Sequence, residues 1–428
     1  MKDVINIGII GFGIVGSGAV KILVDNGKAI SRKVGSNLRI KRICDLDITT
    51  PRPVAVDKGI LTTNADDIIN DPEIDIVVET IGGLKPAGDF IRRSLRAGKN
   101  VVTANKELIA KEGATLLPLA AELKKDFLFE ASVGGGIPII GPLKSCLAGN
   151  EILEIKGIVN GTTNYILSRM KDEGLGFDEV LKIAQEKGYA EADPTADVGG
   201  HDAAYKISIL GSIAFTSRVD VTKVYREGIT AITAEDMKYA DELGYVIKLL
   251  AIAKAMDGAT LVRVHPAFVP KTHPLANVNG VFNGIYVKGD AVGEVMFYGP
   301  GAGSAAAGSA VVSDIIDIAR NIDHNSTARI GCTCFDKREM LSMDSVTGKN
   351  YVRILAEDKP RVLAAIATEF ANHDVSIESV LQKARPESVA EIVWLTHEAA
   401  EPNVREALDS IRNLPVVKEI SSWIRVEE

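Results

Sequence analysis

Asp202 and Lys206 stand four residues apart in "HDAAYKISIL", so a helix puts an acid and an amine on one face. That face continues into Ile209 and Ile213, an apolar stripe rather than a solvated one. Glu191, Asp193 and Asp197 crowd the segment just before it, and together these residues describe a cleft wall. A lysine desolvated in such a wall has a tunable proton affinity and can stabilise a developing oxyanion. An acid-first i,i+4 ion pair explains the spacing equally well, so spacing alone does not separate the two readings. A second lysine, Lys106, follows "VVTAN" at the carboxyl end of a strand, the edge along which open α/β sheets bind ligands. It reads either as a solvated first-turn residue or as a functional cation, since a positive charge opposes the dipole there.

The partner for such chemistry is suggested by "IGIIGFGIVGSG", where Gly11, Gly13 and Gly16 fit G-x-G-x-x-G between a strand and a helix. Gly11 would permit the tight turn, Gly13 the approach of a pyrophosphate, and Gly16 close packing of helix on strand. The helix N-terminus adds unpaired N–H groups and a favourable dipole. Asp45 ends the second strand, where a carboxylate accepts hydrogen bonds from ribose hydroxyls and repels the extra phosphate of NADP. Arg52 and Lys58 follow and offer that phosphate a hold, so NAD is slightly favoured and NADP stays open. Gly16 to Asp45 exceeds the usual spacing of about 20 residues, and "NGKAISRKVGSN" reads as the insertion responsible.

Elements must position these groups. "INIGII", "LRIKRICD", "IDIVVET", "NVVTAN" and "FLFEASV" read as strands alternating with helices at 15–26, 86–97 and 108–125. That alternation predicts an α/β fold with a Rossmann-type parallel sheet over residues 1–133, completed by about 301–320. Residues 134–300 read as an α+β substrate and dimerisation domain, with helices near 139–147, 165–173, 178–187 and 202–215. Residues 321–349 are polar and poorly periodic, a linker. Residues 350–428 spell βαββαβ, a ferredoxin-like domain.

Composition excludes several classes. With 428 residues, 46% hydrophobic and 25% charged, the chain is globular, and a net charge of −8 argues against nucleic acid. No run approaches the roughly 20 apolar residues that span a bilayer, and "VINIGIIGFGIVG" lacks a signal-peptide cleavage site. Scattered cysteines at 44, 146, 332 and 334 read as reduced thiols of a cytoplasmic protein.

Four motifs in order resemble the homoserine dehydrogenase family in its single-function form with a C-terminal ACT domain: "GFGIVG", "TANK", "NGTTNYIL" and "GYAEADPTADVGGHDAAYK". The resemblance covers nearly the whole chain and implies reversible NAD(P)H-dependent reduction of L-aspartate 4-semialdehyde to L-homoserine, on the route to threonine, methionine and isoleucine. It implies Lys206 and Lys106 as catalytic lysines with Asp202 beside them, and Glu191, Asp197, Tyr189, Gly161 and Thr162 lining the substrate site. The cofactor would meet Gly11, Phe12, Gly13, Ile14, Val15, Gly16, Asp45, Thr80, Thr103, Asn105, Lys106 and Gly301. A monovalent cation such as sodium would sit at Glu130 and the carbonyls of Val133, Gly135 and Ile137, an oxygen-only set that suits a hard cation. The ACT domain implies an amino-acid effector, threonine being the natural inference, although Arg361 stands where the family often has the glycine of "DKPG". The expected assembly is a homodimer or homotetramer. Two rivals remain: a phosphorylating semialdehyde dehydrogenase using Cys146, which reads instead as a core thiol, and a non-catalytic amino-acid sensor for which paired lysines are unnecessary.

Overall fold

The computed structural model describes residues 2–327, 329, 331–385 and 389–428. It opens with β1 (Val4–Ile10), α1 (Ile14–Asp25), α2 (Gly27–Val34), β2 (Asn37–Cys44), β3 (Leu61–Thr62), α3 (Asp66–Ile69), β4 (Ile76–Glu79), α4 (Ala87–Arg96), β5 (Asn100–Thr103), α5 (Lys106–Glu122) and β6 (Phe127–Leu128). The strands form one parallel sheet in the order β3-β2-β1-β4-β5-β6, so the chain reverses direction across the sheet between β1 and β4. Ligands of open α/β sheets bind at the carboxyl ends beside such a switch point. Continuous apolar runs mark these strands because helices cover both faces, and Ile5, Ile7, Ile9, Ile76, Val78, Val101 and Val102 are fully buried or nearly so. The segment read as an insertion before β2 folds as the helix α2, closed by Gly35 at φ 97°. One expectation is corrected. "FLFEASV" stays a strand only to Leu128, then tightens into a 3₁₀ turn over Glu130–Ser132.

The middle of the chain supplies α6 (Ile140–Lys144), β7 (Ile152–Ile158), α7 (Gly161–Glu173), α8 (Phe177–Glu186), α9 (Thr195–Val198), α10 (His201–Ala214), β8 (Tyr225–Arg226), α11 (Ala234–Glu242), β9 (Tyr245–Met256), β10 (Ala259–Pro270), β11 (Phe282–Gly289) and β12 (Gly293–Pro300). α6 is shorter than expected, ending where Ser145 turns its hydroxyl back onto the Gly141 carbonyl. α12 (Ser304–Asp323) then returns to the first sheet and packs on α1. Small residues permit this: a Cβ on Gly18 would lie 2.0 Å from the Ser304 carbonyl oxygen.

The remaining elements are β13 (Met340–Leu341), β14 (Thr347–Gly348), β15 (Asn350–Glu357), α13 (Val362–Asn372), β16 (Ile377–Arg385), β17 (Val389–Thr396), β18 (Ala399–Ala400), α14 (Glu401–Arg412) and β19 (Val417–Val426). This ferredoxin-like unit has its own core around Phe370 and Trp394. It is nonetheless stitched to the middle domain, because β19 pairs in parallel with β10 and makes the sheet continuous as β12-β11-β7-β9-β10-β19-β15-β17-β16. A buried Arg353 reinforces the join, donating to Asp236 at 2.9 Å and to Glu391 at 3.0 Å. The segment read as a linker carries β13, paired with β10; Ala328 and Ile330 within it lie outside the described residues. Arg361 adopts φ 77°, so the glycine-like backbone persists without the glycine, a conformation costing an L-residue about 1 kcal/mol. Among the described residues no helix is long and apolar enough to cross a membrane.

Candidate active site

The acid–amine pair of α10 is buried, with Asp202 4% and Lys206 8% exposed. Lys206 Nζ donates to Asp202 Oδ2 at 2.7 Å and to the Val159 carbonyl, at the end of β7, at 2.6 Å. The other carboxylate oxygen, Oδ1, faces Lys106 Nζ at 2.7 Å. One buried carboxylate thus holds two ammonium groups, one from each side. Lys106 is the first residue of α5, placed there because Asn105 caps the helix, its Oδ1 accepting from Leu108 N at 3.1 Å. Its side chain is 44% exposed and forms the solvent side of the pair.

These surroundings drive the two lysines apart. Burial, the largest influence, holds Lys206 below the ordinary lysine range; Asp202 offsets this only in part, and the Lys106 charge adds to it. Burial also works against the Lys106 ammonium, but Asp202 outweighs it, with Asp197 and Glu191 adding, and its proton affinity ends above the ordinary. Burial would raise Asp202, yet the two lysines prevail and hold it well below the usual carboxylate range. A pair of titrating groups with separated affinities is the arrangement that assigns different acid–base roles. Lys206 is the group that gives up a proton more readily.

Of the other residues expected to line the substrate, Asp197, Gly161, Thr162 and Tyr189 meet at α7. Asn160 caps that helix through Thr163 N at 2.8 Å and spends its amide on Asp197 at 2.7 Å and Asp202 at 2.9 Å. Asn160 had no assigned role in the sequence; its signal was an Asn directly before a helix, and only folding brings it to two acids. Gly161 lies against Val281, whose carbonyl oxygen would be 2.8 Å from an added Cβ. Thr162 donates to the Tyr189 carbonyl at 2.7 Å, and the Tyr189 ring packs edge-on to Tyr165 at 4.9 Å. Glu191 is exposed.

At the sheet edge, Gly11 has φ 106°, and a Cβ on Gly16 would sit 2.0 Å from the Gly11 carbonyl oxygen. Gly13 faces nothing within 4 Å, which leaves open space beside the backbone, and α1 begins without a side-chain cap or an acid in its first turn. Open backbone at an uncapped helix N-terminus fits a pyrophosphate. Phe12 is buried, Ile14 is 73% exposed and Val15 is half-buried. Thr80 Oγ1 donates to the Gly11 carbonyl at 2.9 Å and fixes the turn. Glu79, unassigned in the sequence, is wholly buried and anchors the next turn, accepting from Ile81 N at 2.8 Å, Gly82 N at 3.0 Å and Thr103 Oγ1 at 2.5 Å. Asp45 accepts from Phe12 N at 2.5 Å, with Arg52 4.0 Å away.

Gly301 is placed against Asn283 and the Gly135 loop, whose Cβ position lies 2.4 Å from the Gly301 carbonyl oxygen. Glu130 spends its carboxylate on Ile139 N at 2.6 Å, Ile140 N at 2.8 Å and Gly141 N at 2.6 Å. Among the described residues the carbonyls of Val133, Gly135 and Ile137 accept no backbone hydrogen bond. Cys146, read as a core thiol, is exposed beyond the end of α6.

Residues 138–316 match the family described as Homoserine dehydrogenase, residues 11–130 its NAD binding domain, and residues 350–416 the ACT domain. A homoserine dehydrogenase from Synechocystis is 47% identical, the match covering 99% of each chain. The chain belongs to the homoserine dehydrogenase family. A crystal structure of the homoserine dehydrogenase from Thiobacillus denitrificans superposes with a TM-score of 0.94 at 42% identity, covering 100% of this chain and 99% of that one. A hyperthermophilic archaeal homoserine dehydrogenase in complex with NADPH superposes at 0.64 with 28% identity, over 74% of this chain and 98% of that one. The activity of a homoserine dehydrogenase is NAD(P)-dependent oxidoreduction between L-homoserine and L-aspartate 4-semialdehyde; Lys106 follows β5 at the same carboxyl edge of the parallel sheet as the glycine turn after β1, and Asp202 on α10 joins it to Lys206.

Proposed function

We propose that Lys206 is the acid–base group of this homoserine dehydrogenase and that Lys106 assists it at the substrate oxygen. The observation carrying this reading is the single carboxylate, Asp202, that orients both ammonium groups. The cofactor supplies the hydride acceptor or donor when bound. In aldehyde reduction the charge developing on oxygen meets two ammonium groups, and Lys206, the weaker holder of its proton, delivers it. In the reverse direction neutral Lys206 takes the hydroxyl proton of homoserine. Lys106 keeps its proton and serves as electrostatic support. Asn160 keeps Asp202 and Asp197 in register, and Asp197, Glu191, Gly161, Thr162 and Tyr189 line the substrate's amino-acid end.

The glycine turn from Gly11 to Gly16 takes the pyrophosphate, with Thr80, Thr103, Asn105 and Gly301 completing the cofactor wall. Asp45 favours NAD, and Arg52 beside it gives the 2′-phosphate of NADP a hold, so both are substrates. The carbonyls of Val133, Gly135 and Ile137 are the ligands for a sodium-like cation, with Glu130 bracing their loop rather than binding through its carboxylate. The C-terminal domain takes an amino-acid effector, and the assembly is a homodimer or homotetramer in the cytoplasm.

The test is initial-rate spectrophotometry with L-homoserine, offering NAD and NADP in turn, with and without sodium and threonine. Reduction of either nicotinamide supports the reading; no reduction of either by a folded, cofactor-binding protein overturns it.

A further inference from the structure

A second group of reactive side chains lies further along the two lysine-bearing helices, toward the end of α10. Cys332 and Cys334 close a cavity walled by Ile109 and Leu117 of α5, Ser212 of α10, and the cations Lys144 and Arg218. Arg218 Nη2 donates to Cys332 Sγ at 3.3 Å, and Cys334 Sγ donates to the Ser212 carbonyl at 3.4 Å. Lys144 Nζ bonds the Gly331 carbonyl at 3.3 Å and has no carboxylate partner among the described residues. Two cations beside two sulfurs repel a metal ion and favour a thiolate. Neither lysine chemistry nor nucleotide binding uses this cluster.

We propose that Cys332 and Cys334 form a hydroperoxide-reactive pair, with Cys332 the attacking thiolate held by Arg218 and Cys334 the resolving thiol. The adjoining Cys334, then Arg218 and Lys144, hold Cys332 down at about 5 against its burial, while Cys334 is pushed up. The Cys332 thiolate attacks the terminal oxygen of the hydroperoxide; the S–O bond forms, the O–O bond breaks, and the departing alkoxide takes a proton from solvent. Cys332 becomes a sulfenic acid, oxidised by two electrons. The Cys334 sulfur then displaces its hydroxyl, the S–S bond forms, and water leaves with the Cys334 proton. One hydroperoxide is reduced for each disulfide made.

The experiment is hydrogen peroxide treatment of the full chain followed by peptide mass mapping across a pH series, with free cysteine as the reference thiol. A low-pKa thiolate gains in ionised fraction and loses in nucleophilicity, so near pH 7 its rate is about that of the reference. Near pH 5.5 it is roughly 20-fold faster. The expected product is the Cys332–Cys334 peptide lacking two hydrogens. C334S is expected to stop at a sulfenic acid on Cys332 that dimedone traps, and Arg218→Met to move the onset of reaction to higher pH. Because all four cysteines are compared within one folded protein, the mapping stands even if a variant folds poorly. Preferential oxidation of the exposed Cys146 near pH 5.5, or C334S giving no trapped Cys332, overturns the proposal.

Discussion

Lys206→Met removes the ammonium from the buried pair while keeping a long unbranched side chain in its place. The structure separates its effect on folding from its effect on chemistry. Asp202 loses one partner but keeps Lys106 at 2.7 Å and Asn160 at 2.9 Å, so no buried charge is orphaned. The penalty of about 3–5 kcal/mol for breaking a buried ion pair therefore does not apply in full. The Val159 carbonyl loses its donor, worth about 1–3 kcal/mol, offset in part because an ammonium no longer has to be desolvated. The fold and the nucleotide turn, built from other elements, should survive. Loss of a positioned proton donor costs about 10²- to 10⁴-fold, or about 3–5 kcal/mol of barrier. Lys106 remains to stabilise charge, which places the expected fall in kcat in the lower half of that range. Rates of homoserine oxidation, cofactor binding by fluorescence and thermal unfolding are measured together. A kcat within about threefold of the parent would refute the assignment, and so would a loss explained wholly by failure to bind cofactor.

Asp202→Asn removes the charge that raises the proton affinity of both lysines. Lys206, already below the ordinary range, falls further, so homoserine oxidation, which needs the neutral amine, should reach its plateau at lower pH. A kcat–pH profile that stays in place would break that link. The same carboxyl is held low in the folded state, so its contribution to stability is present above the unfolded value of about 3.9 and is lost as pH falls further. Acid unfolding of the Asn variant should therefore show less of this limb. Gly16→Ala places a Cβ 2.0 Å from the Gly11 carbonyl oxygen and must open the turn. Overpacking of about 1–3 kcal/mol predicts roughly 5- to 150-fold weaker binding of NAD and NADP alike by titration, and unchanged binding would exclude the turn as the phosphate site. Arg52→Ala should raise the KM for NADP roughly tenfold and leave that for NAD nearly unchanged, since only NADP offers a phosphate to lose. Equal effects on both would remove Arg52 from cofactor choice.

Much of this protein was legible because its signals are local. Glycine spacing between a strand and a helix, Asn before a helix, and βα alternation depend on neighbours within a few residues, and β1, α1, β5 and α5 stand close to where the pattern put them. The misreading of "FLFEASV" came from a local pattern with a non-local outcome. It stops being a strand where Glu130 is captured by three amides of a later turn.

By itself the sequence determined which residue types were available for chemistry and on which element each would ride: an acid and an amine on one helical face, and a lysine at the head of another helix. The tertiary structure decided what those groups are to each other. Spacing could not tell a solvated i,i+4 pair from a buried one, because that depends on what covers the helix. Packing of α5 against α10 brings Lys106 to the second oxygen of Asp202, and β7 delivers the Val159 carbonyl and Asn160. Burial then separates the proton affinities of two chemically identical side chains, a difference no string of letters contains, since it arises from the solvent each ammonium has lost and the charges it has gained.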